Sequence, residues 1–134
     1  MDRALRETLV PELRRRGFKG AYPHFHRLKP TGADYLAVQF SSAGGGFTVE
    51  IAKCGPEGRG SRYTTPLEKL RVFHFSKRLR VGSTPETGGD RWFEFGRRMY
   101  DPPSSPKPPE FYAGIASSIL PLIESQAERW WNDG

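Results

Sequence analysis

Five polar or aromatic residues could do chemistry together in this sequence: Gln39, His74, Arg78, Arg80 and Trp92. An imidazole can move a proton near neutral pH, and a guanidinium presents a planar fork to an anion. Trp92 adds a face on which a planar group or a cation can stack, and Gln39 adds both donors and an acceptor. The spacing of His74, Arg78 and Arg80 puts all three on one face of an extended strand. That face suits an anion, a planar ligand or a protein partner. Its plain alternative is a solvated sheet face, with Glu50 and Glu94 paired across strands to the arginines.

Other chemistries find less in the residues. His24 and His26 are two apart, and with His74 and Cys54 they could be drawn as a zinc site. Pro23 disturbs the strand beside His24, however, and no carboxylate motif accompanies the pair, so neither a metal nor a cofactor is expected. No Gly-x-Ser-x-Gly elbow occurs, and no sequence neighbour of Cys54 would activate its thiol. Gly44-Gly45-Gly46 and Gly58-Arg59-Gly60 lack the Lys-Ser/Thr context of a phosphate loop. No catalytic residue is assigned, and the sequence leans away from an enzyme.

The elements that would position the five residues follow from periodicity. Leu5, Leu9 and Leu13 mark one face of an N-terminal helix that Asp2 would cap and Gly17 would end, with Pro11 expected to kink it. Phe25 to Leu28 is a short strand. Tyr35 to Ser41 and Phe47 to Ala52 alternate across the glycine-rich 43–46 connector as an antiparallel hairpin. Val72 to Val81 and Trp92 to Phe95 are read as further strands, with a turn at Thr84 to Asp90. Asp101 to Pro109 holds five prolines in nine residues and is expected to be an exposed, extended connector. Ile115, Ile119, Leu122, Ile123 and Trp130 face one way along a C-terminal helix, which Pro121 would divide.

This order predicts an α+β fold: an antiparallel sheet of four or five strands, with the N-terminal and C-terminal helices packed on one face. Leu36, Val38, Phe40, Phe47, Val49, Ile51, Phe73, Phe75, Leu79, Val81, Phe93 and Phe95 would point to the helices. Tyr35, Ala37, Gln39, Thr48, Glu50, Ala52 and the candidate residues would line the opposite, polar face. One of Trp130 and Trp131 should cover the core while the other stays outside.

A chain of 134 residues with 36% hydrophobic and 27% charged residues is one domain, 1–134, too polar for a membrane span and too apolar for disorder. A single cysteine and the lack of a leader-like apolar run point to a cytoplasmic protein. The net charge of +6 is uneven: +5 over residues 1–30 and +6 over 53–98, against −3 over 99–134.

The segments Leu9 to Phe18, Phe25-His26-Arg27 and Val38 to Ser42, then Phe47-Thr48-Val49, His74 with Arg78-Leu79, and Asp90 to Phe93, together resemble the bacterial domain of unknown function family 4304. The likeness covers roughly residues 5 to 95, with a looser C-terminal helix. It implies a single α+β domain and brings no activity, cofactor or catalytic set. The expected function is a non-enzymatic binding or regulatory module acting through the polar sheet face on a protein partner or a small anionic ligand. Nucleic-acid binding through the basic surface is the alternative. An enzyme on an anionic substrate, with His74 as acid/base and Arg78 and Arg80 as clamps, is the second. The oligomeric state stays open.

Overall fold

A computed structural model describes residues 1–55, 65–97, 102 and 107–133. The Gly58–Gly60 loop and most of the proline-rich stretch lie outside the described residues; Pro102, Lys107 and Pro108 are exposed.

Helix α1 runs Asp2–Arg15 and buries Leu5, Leu9 and Leu13, the stripe that the four-residue spacing sets out. It runs continuously through Pro11, whose missing N–H falls on an exposed position where water can serve the orphaned carbonyl. Asp2 does not cap: it is the first helical residue, and its carboxylate pairs with Arg6 one turn on. At the other end Gly17 takes φ +92, a conformation that side chains resist. Phe18 N–H then reaches Leu13 O at 2.9 Å and Gly17 N–H reaches Arg14 O at 3.1 Å, a Schellman closure.

Strands β1 (His24–Lys29), β2 (Gly32–Phe40) and β3 (Gly46–Cys54) form an antiparallel meander. The outer edge of β3 is shared by two short strands. β4 (Leu79–Arg80) pairs with Glu50 and Ile51, and β5 (Phe93–Glu94) pairs with Gly46 and Phe47. The fold is therefore α+β with a five-stranded antiparallel sheet. Gly32 has no alternative: a Cβ there would lie 1.7 Å from the Cys54 carbonyl oxygen.

Helix α2 (Pro109–Leu122) is not divided by Pro121. The chain passes instead into a π-helical turn, Ile123–Ala127, and then into α3 (Glu128–Asn132). Proline cannot donate to the preceding turn, and the wider π turn takes up the mismatch directly after it. Leu36, Val38, Phe47, Val49, Ile51, Val81 and Phe93 meet α1 and the C-terminal helices in one core. Trp131, not the Trp130 that the helical spacing set on the apolar face, covers this core, with its Nε1–H on Ala52 O at 3.1 Å. Trp130 stays half-buried, with the Lys53 ammonium over its ring.

The opposite face departs from expectation. Val72 to Val81 is not a long strand. It opens with a 3-10 turn, Val72–His74, which follows another at Leu67–Lys69, and only its end joins the sheet as β4. The reason lies in the residues taken as polar-facing. Ala33, Ala37 and Ala52 are small and leave a hollow beside Tyr35, which Leu70, Val72 and Phe75 fill as a second cluster. Tyr35 is fully buried, with its hydroxyl donating to Leu67 O at 2.8 Å. Phe73 and Phe75 thus leave the helix side: Phe75 packs on Tyr35, and Phe73 is 46% exposed.

Arg27 ties the helix side together. Its guanidinium donates to Asp34 Oδ2 at 2.8 and 3.0 Å, to both carboxylate oxygens of Glu128 at 2.7 and 3.1 Å, and to Arg16 O at 3.0 Å. The Phe18 and Trp131 rings, in contact with each other, both lie within reach of its charge, with Cζ 4.5 and 5.1 Å from their centres. Asp34 is 2% exposed, so Arg27→Leu leaves a buried carboxylate with only Lys29. In urea unfolding, Arg27→Leu should cost about 3 kcal/mol, and the Arg27→Leu/Asp34→Leu pair should recover part of that loss. Additive losses in the double variant would show that the two side chains do not act as a pair.

Candidate functional site

The short strand β4 is what brings the predicted arginines to the sheet. Register places Arg80 opposite Glu50, and its Nε donates to Glu50 Oε1 at 3.2 Å. Its other arm pairs with Asp90, and its guanidinium lies 5.1 Å from the centre of the Trp92 ring. Arg78 approaches the second Glu50 oxygen at 3.6 Å and sits 5.7 Å from the centre of the Phe73 ring. Trp92 is held because Phe93, next to it in β5, is locked into the core by stacking on Phe47. Phe73 and Trp92 are both exposed, at 46% and 37%.

Three of the five predicted residues, Arg78, Arg80 and Trp92, therefore meet around Glu50. The other two stand apart. Gln39 pairs in register with Thr48 at the exposed end of β2, on the same face, and no hydrogen bond or ion pair joins it to the cluster among the described residues. His74 is not on a strand at all: it closes a 3-10 turn, its Nδ1 accepting the Arg71 backbone N–H at 2.8 Å. That bond leaves Nε2 to carry the ring proton of the neutral imidazole. Glu50 is the hub that residue type alone did not mark as part of a site, although pairing to the arginines was the foreseen alternative. Phe73 was missed because strict alternation sent it inward.

Charge in this cluster is largely balanced within it. Glu50, itself buried, serves two guanidinium groups, and Asp90 serves one of them again. Such a surface offers flat, stacked, pre-positioned groups more than unneutralised positive charge.

A second grouping lies under the turn that covers the sheet. β1 projects His24 and His26 to the same side as Tyr35 and Ala37, as their spacing implies. His24 meets the edge of Phe73, and its Nδ1 is enclosed without a hydrogen-bond partner among the described residues. Burial, with the nearby Arg71 charge, lowers the His24 pKa; burial also lowers that of His26, with Lys19 and Arg14 adding to the effect and Glu68 opposing it. No group of three His, Cys, Asp or Glu residues that could hold a metal occurs among the described residues. Among the same residues, no helix is long and apolar enough to cross a membrane.

An antiparallel sheet with helices on one side and a 3-10 cover on the other defines a small α+β protein. The family model described as a domain of unknown function (DUF4304) matches residues 9–133, and the chain belongs to that family. The match takes in the C-terminal helices as well as the sheet. No curated protein and no solved structure matches the chain.

Both histidines are held below their unfolded value of about 6.5, so the folded state prefers them neutral. Their contribution to stability is complete above that pH and is lost as pH falls towards the folded values. The urea midpoint should therefore decline between pH 7.5 and 5.5, and His24→Gln should make that decline shallower. An unchanged slope in His24→Gln would remove this residue from the account.

Proposed function

We propose that the chain is a non-enzymatic binding module that recognises a protein partner through the Phe73, Arg78, Arg80 and Trp92 surface. The observation that carries the reading is the pair of exposed aromatic rings, each under an arginine, with both arginines joined through one buried glutamate. Tryptophan and arginine dominate the energetics of protein interfaces: tryptophan covers a large area from two torsions, and arginine combines a stacking plane with five donors. Glu50 also fixes both guanidinium groups before binding, which lowers the ordering cost of association. With its charge balanced internally, this surface would meet the partner through apolar and planar groups set against the two rings.

The nucleic-acid alternative draws less support from this surface. Phosphate binding needs cations whose charge is available, and Arg78 and Arg80 face Glu50 and Asp90. The enzymatic alternative draws less support, since His74 Nδ1 is engaged by the Arg71 backbone N–H within its own turn.

The test compares capture of partners from the native lysate by the unchanged chain, Trp92→Ala, Arg78→Glu, and Arg3→Glu on the exposed side of α1. A partner that binds through this surface should be lost with the first two variants and kept by the third. Loss of a central contact of this kind costs about 2 kcal/mol or more, roughly a thirty-fold weakening. A partner retained by both Trp92→Ala and Arg78→Glu would place the interface elsewhere. Nucleic acid recovered in place of protein, with strongly salt-dependent binding, would favour the alternative.

A further inference from the structure

The arginines that anchor the fold are neutralised: Arg16 and Arg27 by Glu12, Glu124, Glu128 and Asp34, and Arg78 and Arg80 by Glu50 and Asp90. Lys19, Lys69 and Arg71 are different. None of the three forms an ion pair with a carboxylate among the described residues. They gather at one place. Lys69 and Arg71 line a cleft of about 390 Å³ between β1 and the 3-10 turn at 67–69, and Lys19 stands beside it, bridged to His26 on the β1 edge.

His24 and His26 form the sheet-side wall of this cleft, and the Gly20-Ala21 backbone forms one end. Glu68 is the one carboxylate lining it among the described residues. The volume is that of a small-molecule site and far below that of a macromolecular interface. The larger cavities are less suited to an anion. That beside the π-helical turn is lined by Leu79, Leu122 and Trp130 together with Arg129 and Asp133. In the cavity near Lys29 and Lys53, both ammonium groups are already engaged, by Asp34 and by the carbonyls of Trp130 and Asp133.

We propose that the cleft between β1 and the 67–71 turn binds a phosphate group, free or as a small monoester, held by Lys69 and Arg71 on the turn and by the His26 imidazole on the strand. The inference is independent of the protein-binding surface, which it adjoins only at Phe73. Arginine offers a phosphate two parallel N–H donors, lysine adds a point charge, and imidazole adds a donor from the opposite wall. A dianion also reverses the local electrostatics. Arg71 acts on His24, while Lys19, Arg14 and Glu68 act on His26, and the cations among them disfavour a second positive charge. A bound phosphate offsets those cations, so its binding takes up a proton on the histidines near their ordinary titration range. A carboxylate, with one charge and two oxygens in a plane, engages fewer of these groups.

The experiment follows the histidine ring resonances of the full chain by NMR during titration with inorganic phosphate or glycerol phosphate, against sodium chloride at matched ionic strength. The expected result is saturable shifts at His24 and His26 and a rise in the His26 pKa. Affinity should fall at least about tenfold in Lys69→Gln/Arg71→Gln, the scale of one charge-assisted hydrogen bond. Glu68→Gln removes the opposing charge and should tighten binding a few-fold, which decides the matter even if the double variant does not fold. Equal affinity for the two probes assigns the phosphate group alone as the ligand; tighter glycerol phosphate assigns a monoester. The absence of a saturable shift, shifts that chloride reproduces, or full binding by the folded double variant would overturn the proposal. So would weaker binding by Glu68→Gln.

Discussion

The Arg27 guanidinium is the point on which the remainder of the structure depends. It lies where three distant stretches of chain meet: the end of α1, the β1–β2 hairpin and α3. Its five contacts satisfy one partner from each of them. Burial opposes the charged form of Glu128, but hydrogen bonds from Arg27 and Arg16 outweigh it and hold that carboxyl below the usual range. Only a planar, permanently charged group with several fixed donors could serve Asp34, Glu128 and the Arg16 carbonyl at once beside the Phe18 and Trp131 rings; a lysine could not. Removing two charges from water is costly, and the network offsets that cost only with all members in place. The C-terminal helix is thereby held in one position on the sheet, and Trp131 with it.

The two faces of the sheet follow different rules. On the helix side, large aliphatic and aromatic side chains interlock, and their alternation along β2 and β3 makes the pattern plain. On the other side, alanines leave space, and the 65–75 segment has to fold onto it. Because that segment is used as a cover, it cannot also supply a long strand, and the chain joins β3 just at Leu79, Arg80 and the Val81 N–H. The layout of the surface follows from that exchange. Phe73 emerges at the surface, His74 is drawn into a turn, and a cleft opens between β1 and the cover.

Much of this was legible beforehand. The leucine spacing of α1, the glycine stop at Gly17 and the β2–β3 hairpin all follow from local pattern, whereas helical spacing put Trp130 on the buried face and it is Trp131 that the core takes in. The candidate site was legible in part. Arg78, Arg80 and Trp92 meet because each has a strand neighbour with an inward partner. His74 does not join them, because its place in the grouping assumed one unbroken strand from 72 to 81, and register sets Gln39 beside Thr48 while Glu50 pairs with Ala37. Alternation reports which residues can share a face, and it is silent on whether the chain stays extended.

By itself, the sequence determined the α+β class, the family, the core face of the meander and the uneven distribution of charge. These rest on short-range periodicity and composition, which each segment carries within itself. The tertiary structure alone decided how the second sheet face is covered, which arginines are neutralised, and which cations remain around His24 and His26. Those outcomes depend on contacts between residues tens of positions apart, such as Arg27 with Glu128 and Glu50 with Arg80. Their physical basis is the volume left by small side chains and the cost of burying unpaired charge, and neither can be read from one segment alone.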